Sequence, residues 1–357
     1  MMLDGTLGSS YFDRFHDIRK HYGQVRNSSL LFLQTFIRTK EVNFERFCSS
    51  YWPRFKTQLK LDPSRVFTEI ISHIKGGLQS IDVADGKLCR EEYIRLSETR
   101  VSTLLRSERE KIYEIYENYE QMKVRNGEFD LADLVNDLHR RFKEERYKGD
   151  EFHFVYIDEV QDLTMSQIAL FKYVCRNIEE GFVFSGDTAQ TIARGIDFRF
   201  QDIRSLFYKK FVLESRNTRN VGRQEKGQLS NIFNLSQNFR THAGVLNLAQ
   251  TVIELLYRFF PHSVDILKPE TSLIYGEPPV LLESRDDENA VIKIFGNSGD
   301  AGGNMVGFGA EQVILVRDDC VRKEISNYVG KQALVLTILE SKGLEFQVIH
   351  CIKVSYH

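Results

Sequence analysis

Two carboxylates stand side by side in Ile157-Asp158-Glu159-Val160-Gln161-Asp162, directly after the apolar run 152–157. Ligands of open α/β sheets collect at the carboxyl ends of the strands. A strand running straight into two acids therefore sets both where a phosphate ligand would sit. Asp158, last on the strand, suits Mg²⁺ held through its water shell, and Glu159 suits polarising a water for attack on a γ-phosphate. An ordinary acidic turn fits the same residues. A second apolar run, 181–185, ends in Gly186-Asp187-Thr188-Ala189-Gln190. One strand, one helix and a short loop fill the interval from Asp158 to Asp187, so the two acidic strand ends can be neighbours in one sheet. Gln190 then comes within reach of the γ-phosphate or the attacking water, with a tight Gly-Asp turn as the plain alternative.

Two further segments carry chemistry. Gln237-Asn238-Phe239-Arg240-Thr241 precedes a long amphipathic pattern. An arginine at a domain edge can reach a neighbouring phosphate site and neutralise transition-state charge, or it can simply cap a helix in solvent. Thr337-Ile338-Leu339-Glu340-Ser341-Lys342-Gly343-Leu344-Glu345-Phe346 lies between two apolar runs. Thr337, Ser341 and Lys342 are donors suited to nucleic-acid phosphates and Glu345 to a ribose hydroxyl, unless the segment is only a surface turn.

The elements that must position these residues are readable from apolar periodicity. The runs 152–157, 181–185, 312–316, 333–337 and 347–352 are short and rich in Val, Ile and Phe. Their lack of alternation predicts strands buried on both faces of a parallel sheet. Helical patterns lie between several of them, at 166–176, 241–260 and 319–329. Upstream the chain reads as all-helical. Asp62-Pro63 is an N-cap followed by proline at the first helical position, Val66, Phe67, Ile70, Ile71 and Ile74 give an apolar face, and Gly76-Gly77 ends it. A second helix is expected over 102–125. A third follows Asp130 and buries Leu131, Leu134, Val135, Leu138 and Phe142. The absence of proline between Pro63 and Pro261 suits unbroken helices and buried strands. The expected fold is α/β: a helical segment over 1–147, a first parallel layer over 148–235 and a second over 236–357.

Composition bounds the function. The chain has 357 residues, 48 Lys and Arg against 50 Asp and Glu, and a net charge of -2. That length allows two or three domains, and the charge excludes a strongly basic polyanion binder. No stretch approaches eighteen apolar residues, so neither a membrane partner nor a signal peptide is expected. Five widely spaced cysteines without a Cys-x-x-Cys pair favour neither a disulfide framework nor a zinc site, and predict an intracellular, reducing compartment. One basic cluster, Lys209, Lys210, Arg216, Arg219, Arg223 and Lys226 against Glu214 and Glu225, can contact phosphates or form a solvated loop.

In order and spacing the four chemical segments resemble the UvrD-like group of superfamily 1 helicases. IDEVQD matches motif II, GDTAQTI motif III, LSQNFRTH motif IV and LTILESKGLEF motif V. GEFDLADLV, upstream, looks like the aspartate-containing helix that often precedes motif II. The wider wording is most similar to large eukaryotic UvrD-like proteins that carry tetratricopeptide and ankyrin repeats. The resemblance implies two RecA-like domains facing each other across ATP, a helical insertion in the first, and nucleic acid over the top. It makes Asp158 the Mg²⁺ ligand, Glu159 the catalytic base, Gln190 the γ-phosphate sensor and Arg240 the arginine finger. Gln161, Asp187 and Glu345 become nucleotide contacts, and Arg194, Thr337, Ser341 and Lys342 nucleic-acid contacts. ATP and Mg²⁺ are the implied cofactors. Single-stranded DNA or RNA and the remaining helicase segments are the implied partners, in nucleus or cytoplasm.

The sequence departs from this pattern in three places. A phosphate-cradling GxxxxGK[ST] is missing, since Gly86-Lys87 and Gly330-Lys331 lack both the leading glycine and the hydroxyl, and the glycine-rich 295–310 has no lysine. No arginine-rich motif VI follows motif V. The expectation is therefore the middle of a helicase, inactive or poorly active as this chain alone. Motif III also lacks aromatics before Arg194-Gly195. Base stacking is worth about 1–3 kcal/mol per base, so Phe198 or Phe200 would have to substitute. The interval from Arg240 to Thr337 leaves no room for a full accessory domain of about 100–150 residues. The rival reading is a degenerate pseudo-helicase serving as a protein or RNA interaction module.

Overall fold

A computed structural model of the chain describes residues 4–7, 10–15, 29–55, 61–99, 104–145, 147–215, 229–261, 264–281, 312–329 and 333–351. The basic residues at 216–226, the glycine-rich 295–310 and Gly330-Lys331 lie outside the described residues. The chain divides into two compact units, residues 1–236 with 251–269, and 237–250 with 270–357.

The helical part of the first unit is built from α1 (Ser29–Lys40), α2 (Pro63–Thr68), α3 (Arg90–Thr99), α4 (Arg106–Arg125) and α5 (Leu131–Glu144). The Asp62 carboxylate caps α2, accepting the backbone N–H groups of Ser64 (2.8 Å) and Arg65 (3.2 Å). Past Thr68 the same helix widens into π-type turns over Glu69–Lys75, and all seven of these residues are buried. Val66, Phe67, Ile70, Ile71 and Ile74 enter a core with Phe47, Tyr93, Ile112 and Tyr119. Asp130 caps α5, and Asp133 answers by accepting the Asp130 N–H, which closes a capping box. Leu134, Val135, Leu138 and Phe142 are buried as the periodicity requires, but Leu131 is 45% exposed. It stands in the first turn, where the two capping carboxylates rather than an apolar neighbour fix the chain.

Six charged groups meet between α2, α4 and α5. Lys75 is fully buried, with Nζ 2.6 Å from Asp130 Oδ2, 2.7 Å from Asp133 Oδ1 and 3.0 Å from Glu120 Oε1. Lys123 Nζ lies 2.6 Å from both Asp130 Oδ2 and Asp133 Oδ2, and Lys87 reaches Glu120 Oε2. Three carboxylates and three ammonium groups therefore balance. Glu120, Asp130 and Asp133 are close enough to share a metal ion, but lysine ammonium groups fill that position. Burial alone would lower Lys75, yet Asp130, Asp133 and Glu120 outweigh it and hold the ammonium well above its ordinary value. Burial alone would raise the carboxylates, yet Lys75 and Lys123 hold Glu120 down at about 2 and Asp133 well below its usual range.

The α/β part of this unit pairs β1 (Val155–Ile157) in parallel with β2 (Phe182–Phe184), Ile157 opposite Phe184. Between them lies α6 (Met165–Leu170), and after them α7 (Phe200–Leu206), which again widens over Phe207–Leu213. Ile157, Phe182 and Phe184 pack against Leu206, Phe207 and Phe211, with the Phe182 and Phe211 rings 4.9 Å apart. The opposite face is bare, with Tyr156 74% and Val183 53% exposed. The expected burial on both faces thus holds on one. The paired strands are also shorter than the apolar runs, since Phe152 makes an isolated bridge to Cys175 instead.

In the second unit, β3 (Gln237–Asn238) pairs in parallel with β4 (Thr271–Ser272) and leads into α8 (Ala243–Phe259), whose residues from Thr251 onward belong to the first unit. Its main sheet places β5 (Gln312–Val316) between β6 (Val335–Thr337) and β7 (Val348–Cys351), all parallel. From α9 (Asp319–Val329), Val321, Ile325 and Val329 cover Ile314 and Val316. No helix of the described residues is long and apolar enough to cross a membrane.

Lys75→Met leaves buried Asp130 and half-buried Glu120 and Asp133 with two lysines, and should lower the unfolding free energy of the first unit by about 3–5 kcal/mol in urea denaturation. The lowered values of Glu120 and Asp133 give a second expectation. Their stabilisation is complete above the unfolded carboxylate range near pH 4 and is lost as pH falls toward 2. The urea midpoint should therefore drop across that interval, and Asp133→Asn should flatten the drop.

Candidate functional site

At the end of β1 the backbone reverses through Glu159, whose φ of 52° and ψ of 37° make it the one non-glycine residue in the left-handed region among the described residues. Such a conformation costs of order 1 kcal/mol or more and persists only where neighbours over-determine it. Those neighbours are visible. The Glu159 N–H donates to Asp158 Oδ1 (2.9 Å), and the Val160 N–H donates to the Ser185 carbonyl (3.0 Å) at the end of β2. The Ser185 hydroxyl donates to Asp158 Oδ1 at 2.6 Å. Asp158 itself is exposed and Glu159 half-buried.

Gln161 joins the two strand ends. It is wholly buried; its Nε2 donates to Glu159 Oε2, and its Oε1 accepts the Asp187 N–H at 3.1 Å. A Cβ at position 186 would fall 2.3 Å from Gln161 Oε1, so a larger residue there pushes the amide away from Asp187. Asp187 then caps the short turn Thr188–Gln190, accepting the Ala189 N–H (2.9 Å) and, on its other oxygen, Gln190 Nε2 (2.8 Å). Thr188 Oγ1 accepts the Asp265 N–H at 2.9 Å.

The structure thus brings Asp158, Glu159, Gln161, Asp187 and Gln190 into one hydrogen-bonded constellation at the carboxyl ends of β1 and β2. Gln161 stands at full burial with both ends of its amide engaged, so it holds Glu159 and Asp187 from beneath. Ser185 is the member that spacing did not single out. Its only signal was its place, last in an apolar run before Gly-Asp.

Arg194 is exposed, with its guanidinium 5.4 Å from the Phe44 ring centroid. Phe198 is 2% exposed and packs edge-on against half-buried Phe200, the rings 5.3 Å apart. Phe198 therefore offers no face for a base.

The remaining predicted residues lie in the second unit. Asn238 Oδ1 accepts the N–H groups of Arg240 (2.9 Å) and Thr241 (3.0 Å), which pins the turn before α8. Arg240 Nε lies 2.6 Å from Glu345 Oε1, with both side chains about two-thirds exposed. Thr337 is buried; its hydroxyl donates to Glu340 Oε2 (3.1 Å) and accepts the Glu340 N–H (3.1 Å). The Thr337 N–H helps hold the Glu340 carboxyl below its ordinary range. That hydroxyl closes the motif V turn from inside. Ser341 and Lys342 are half-buried, the Ser341 hydroxyl donating to the Ile338 carbonyl at 3.0 Å.

Residues 54–210 match the UvrD/REP helicase N-terminal domain family. Over 307 residues, 85% of its length, the chain is 36% identical to the human TPR and ankyrin repeat-containing protein 1, and it spans about a tenth of that protein. The family match takes in both acid-bearing strand ends and the buried glutamine between them, and the chain is a UvrD-like protein.

Proposed function

We propose that the chain is part of an ATP-dependent helicase or translocase on single-stranded DNA or RNA, contributing the hydrolytic half-site of a RecA-like core with a helical insertion over 1–147. The observation that carries this reading is the Gln161 bridge, which locks Glu159 to Asp187 beside the exposed Asp158. Asp158 and the Ser185 hydroxyl form an oxygen-only donor set at the surface, which fits a Mg²⁺ ion that keeps most of its water. Bound MgATP would supply the transferable phosphoryl group and the charge that holds its oxygens. Glu159 orients a water and accepts its proton, while Gln161 keeps the carboxylate in place. Gln190, tethered to Asp187, contacts the γ-phosphate. Arg240 neutralises charge as the transferred group departs, and Glu345 takes the ribose. Arg194, Ser341 and Lys342 contact the strand. The proposal includes an intracellular setting, for which the wide spacing of the cysteines speaks.

A second reading, a degenerate helicase acting as a protein or RNA interaction module, draws on the burial of Phe198. With Phe198 turned inward, stacking worth about 1–3 kcal/mol per base would fall to half-buried Phe200.

The test joins this chain to a segment bearing a GxxxxGK[ST] loop. The joined protein should hydrolyse ATP, and Glu159→Gln should lower turnover by about 100-fold or more while nucleotide binding persists. Equal turnover in the variant removes Glu159 from the role of base. No turnover in the unsubstituted protein, together with retained RNA or protein binding, selects the module.

A further inference from the structure

The motif III segment has little structure of its own. Beyond the turn Thr188–Gln190, its backbone bonds are long: Thr191 N–H to the Thr188 carbonyl at 3.4 Å and Ile196 N–H to the Ala193 carbonyl at 3.4 Å. Bonds of that length hold a chain weakly, so the course of the segment is imposed by its anchors. Near its start the anchors are the Asp187 cap and the Thr188 hydroxyl.

At its end Phe198 is buried beside Ile168 and Ile203, and the helix 63–75 supplies polar anchors. Ser72 is 5% exposed; its hydroxyl donates to the Gly195 carbonyl at 2.7 Å and accepts the Asp197 N–H at 3.0 Å, grasping both sides of one turn. Gly195 has φ +87°, and a Cβ there would meet the Phe67 ring at 2.8 Å, so only glycine lets the segment lie this close to the helix. His73 Nε2 lies 3.0 Å from Asp197 Oδ2. On the helix side, Glu69 stands 3.9 Å from His73 and is itself held by the Arg109 guanidinium (3.2 Å) and the Tyr93 hydroxyl (2.8 Å). Ser72, His73 and Lys75 belong to the same buried π-type stretch, so what grips motif III is fixed in turn by the six-charge cluster. π-type turns of this kind recur at functional sites.

We propose that Ser72 and His73 are positioning residues: by fixing Gly195–Asp197 from the helical layer, they set where Asp187 and Gln190 stand at the strand ends. The role of Gln190 in this statement rests on the helicase reading, whereas the positioning itself is measurable without nucleotide.

Amide hydrogen exchange on the full 357-residue chain tests it, with Ser72→Ala, His73→Ala and His73→Gln compared at matched denaturant stability. Loss of the clamp should speed exchange about tenfold at Asp197 and also at Ala189 and Gln190 in both alanine variants. Ile157 in β1 should stay unchanged. His73→Gln keeps a donor toward Asp197 and should restore the original rates, which a merely space-filling role for His73 would not produce. Faster exchange confined to Asp197 overturns the proposal, and so does a uniform rise that includes β1. Should Ser72→Ala fail to fold, the contrast between His73→Ala and His73→Gln decides the same question. Because no ATP is present, failure here is distinct from failure of the Glu159→Gln turnover test.

Discussion

A lysine ammonium without solvent contact is the constraint around which the first unit is arranged. Lys75 can stay charged at full burial only if carboxylates are delivered to it, and they come from two other helices, Glu120 from α4 and Asp130 and Asp133 from α5. The two aspartates also form the capping box that starts α5, so they satisfy that helix's first N–H groups and the lysine together. Moving α5 along its axis would break both arrangements at once. From α5 the constraint passes onward through His139. Its Nε2–H donates to the Ser166 carbonyl in α6 at 2.8 Å, and burial lowers its titration to about 4, which keeps the ring neutral. The Ser166 N–H in turn donates to the Gly76 carbonyl (3.0 Å), just past the π-type turn. Lysine, α5, α6 and the end of the helix 63–75 are therefore joined by a closed series of polar bonds.

The strand ends are held by a second set of contacts. β1 and β2 are three residues each, too short to hold a strained corner by pairing alone. The left-handed Glu159 persists because Gln161 holds its side chain, Ser185 holds the next N–H, and α6 follows within a few residues. The arrangement spends backbone strain at the residue proposed as the base and recovers it in hydrogen bonds to a buried amide. Unpaired, that amide would cost about 1–3 kcal/mol, so its two contacts, to Glu159 and to Asp187, form or fail together.

What the sequence made legible follows from which signals are local. Asp62-Pro63 and Asp130 mark helix starts because a cap is a contact within three residues, and both sit where the structure begins α2 and α5. The acidic strand ends were legible because strand and motif share one stretch of chain. Lys75 was not, since a lysine on a mostly apolar helix reads as solvated until its carboxylates, 45 to 58 positions away, are in place. The bare face of Tyr156 and Val183 was hidden for a related reason. An unbroken apolar run reports that a strand can be covered on both sides, and not that it is. Gln161 and Thr337 lie in motifs whose polar residues invite a ligand contact, while burial turns both inward, and burial is set by distant neighbours.

The two units hold their predicted site residues with unequal firmness. In the first, Glu159 and Asp187 are tied through a wholly buried amide, so displacing either would strand a polar group away from water. In the second, Arg240 and Glu345 meet in solvent, where an ion pair contributes only about 0.2–1 kcal/mol. A triphosphate offers Arg240 more charge than a single carboxylate does, and exchanging one partner for the other costs little desolvation. Burial thus fixes Glu159 and Asp187 in place, whereas charge alone holds Arg240 to Glu345, and that pair separates at little cost.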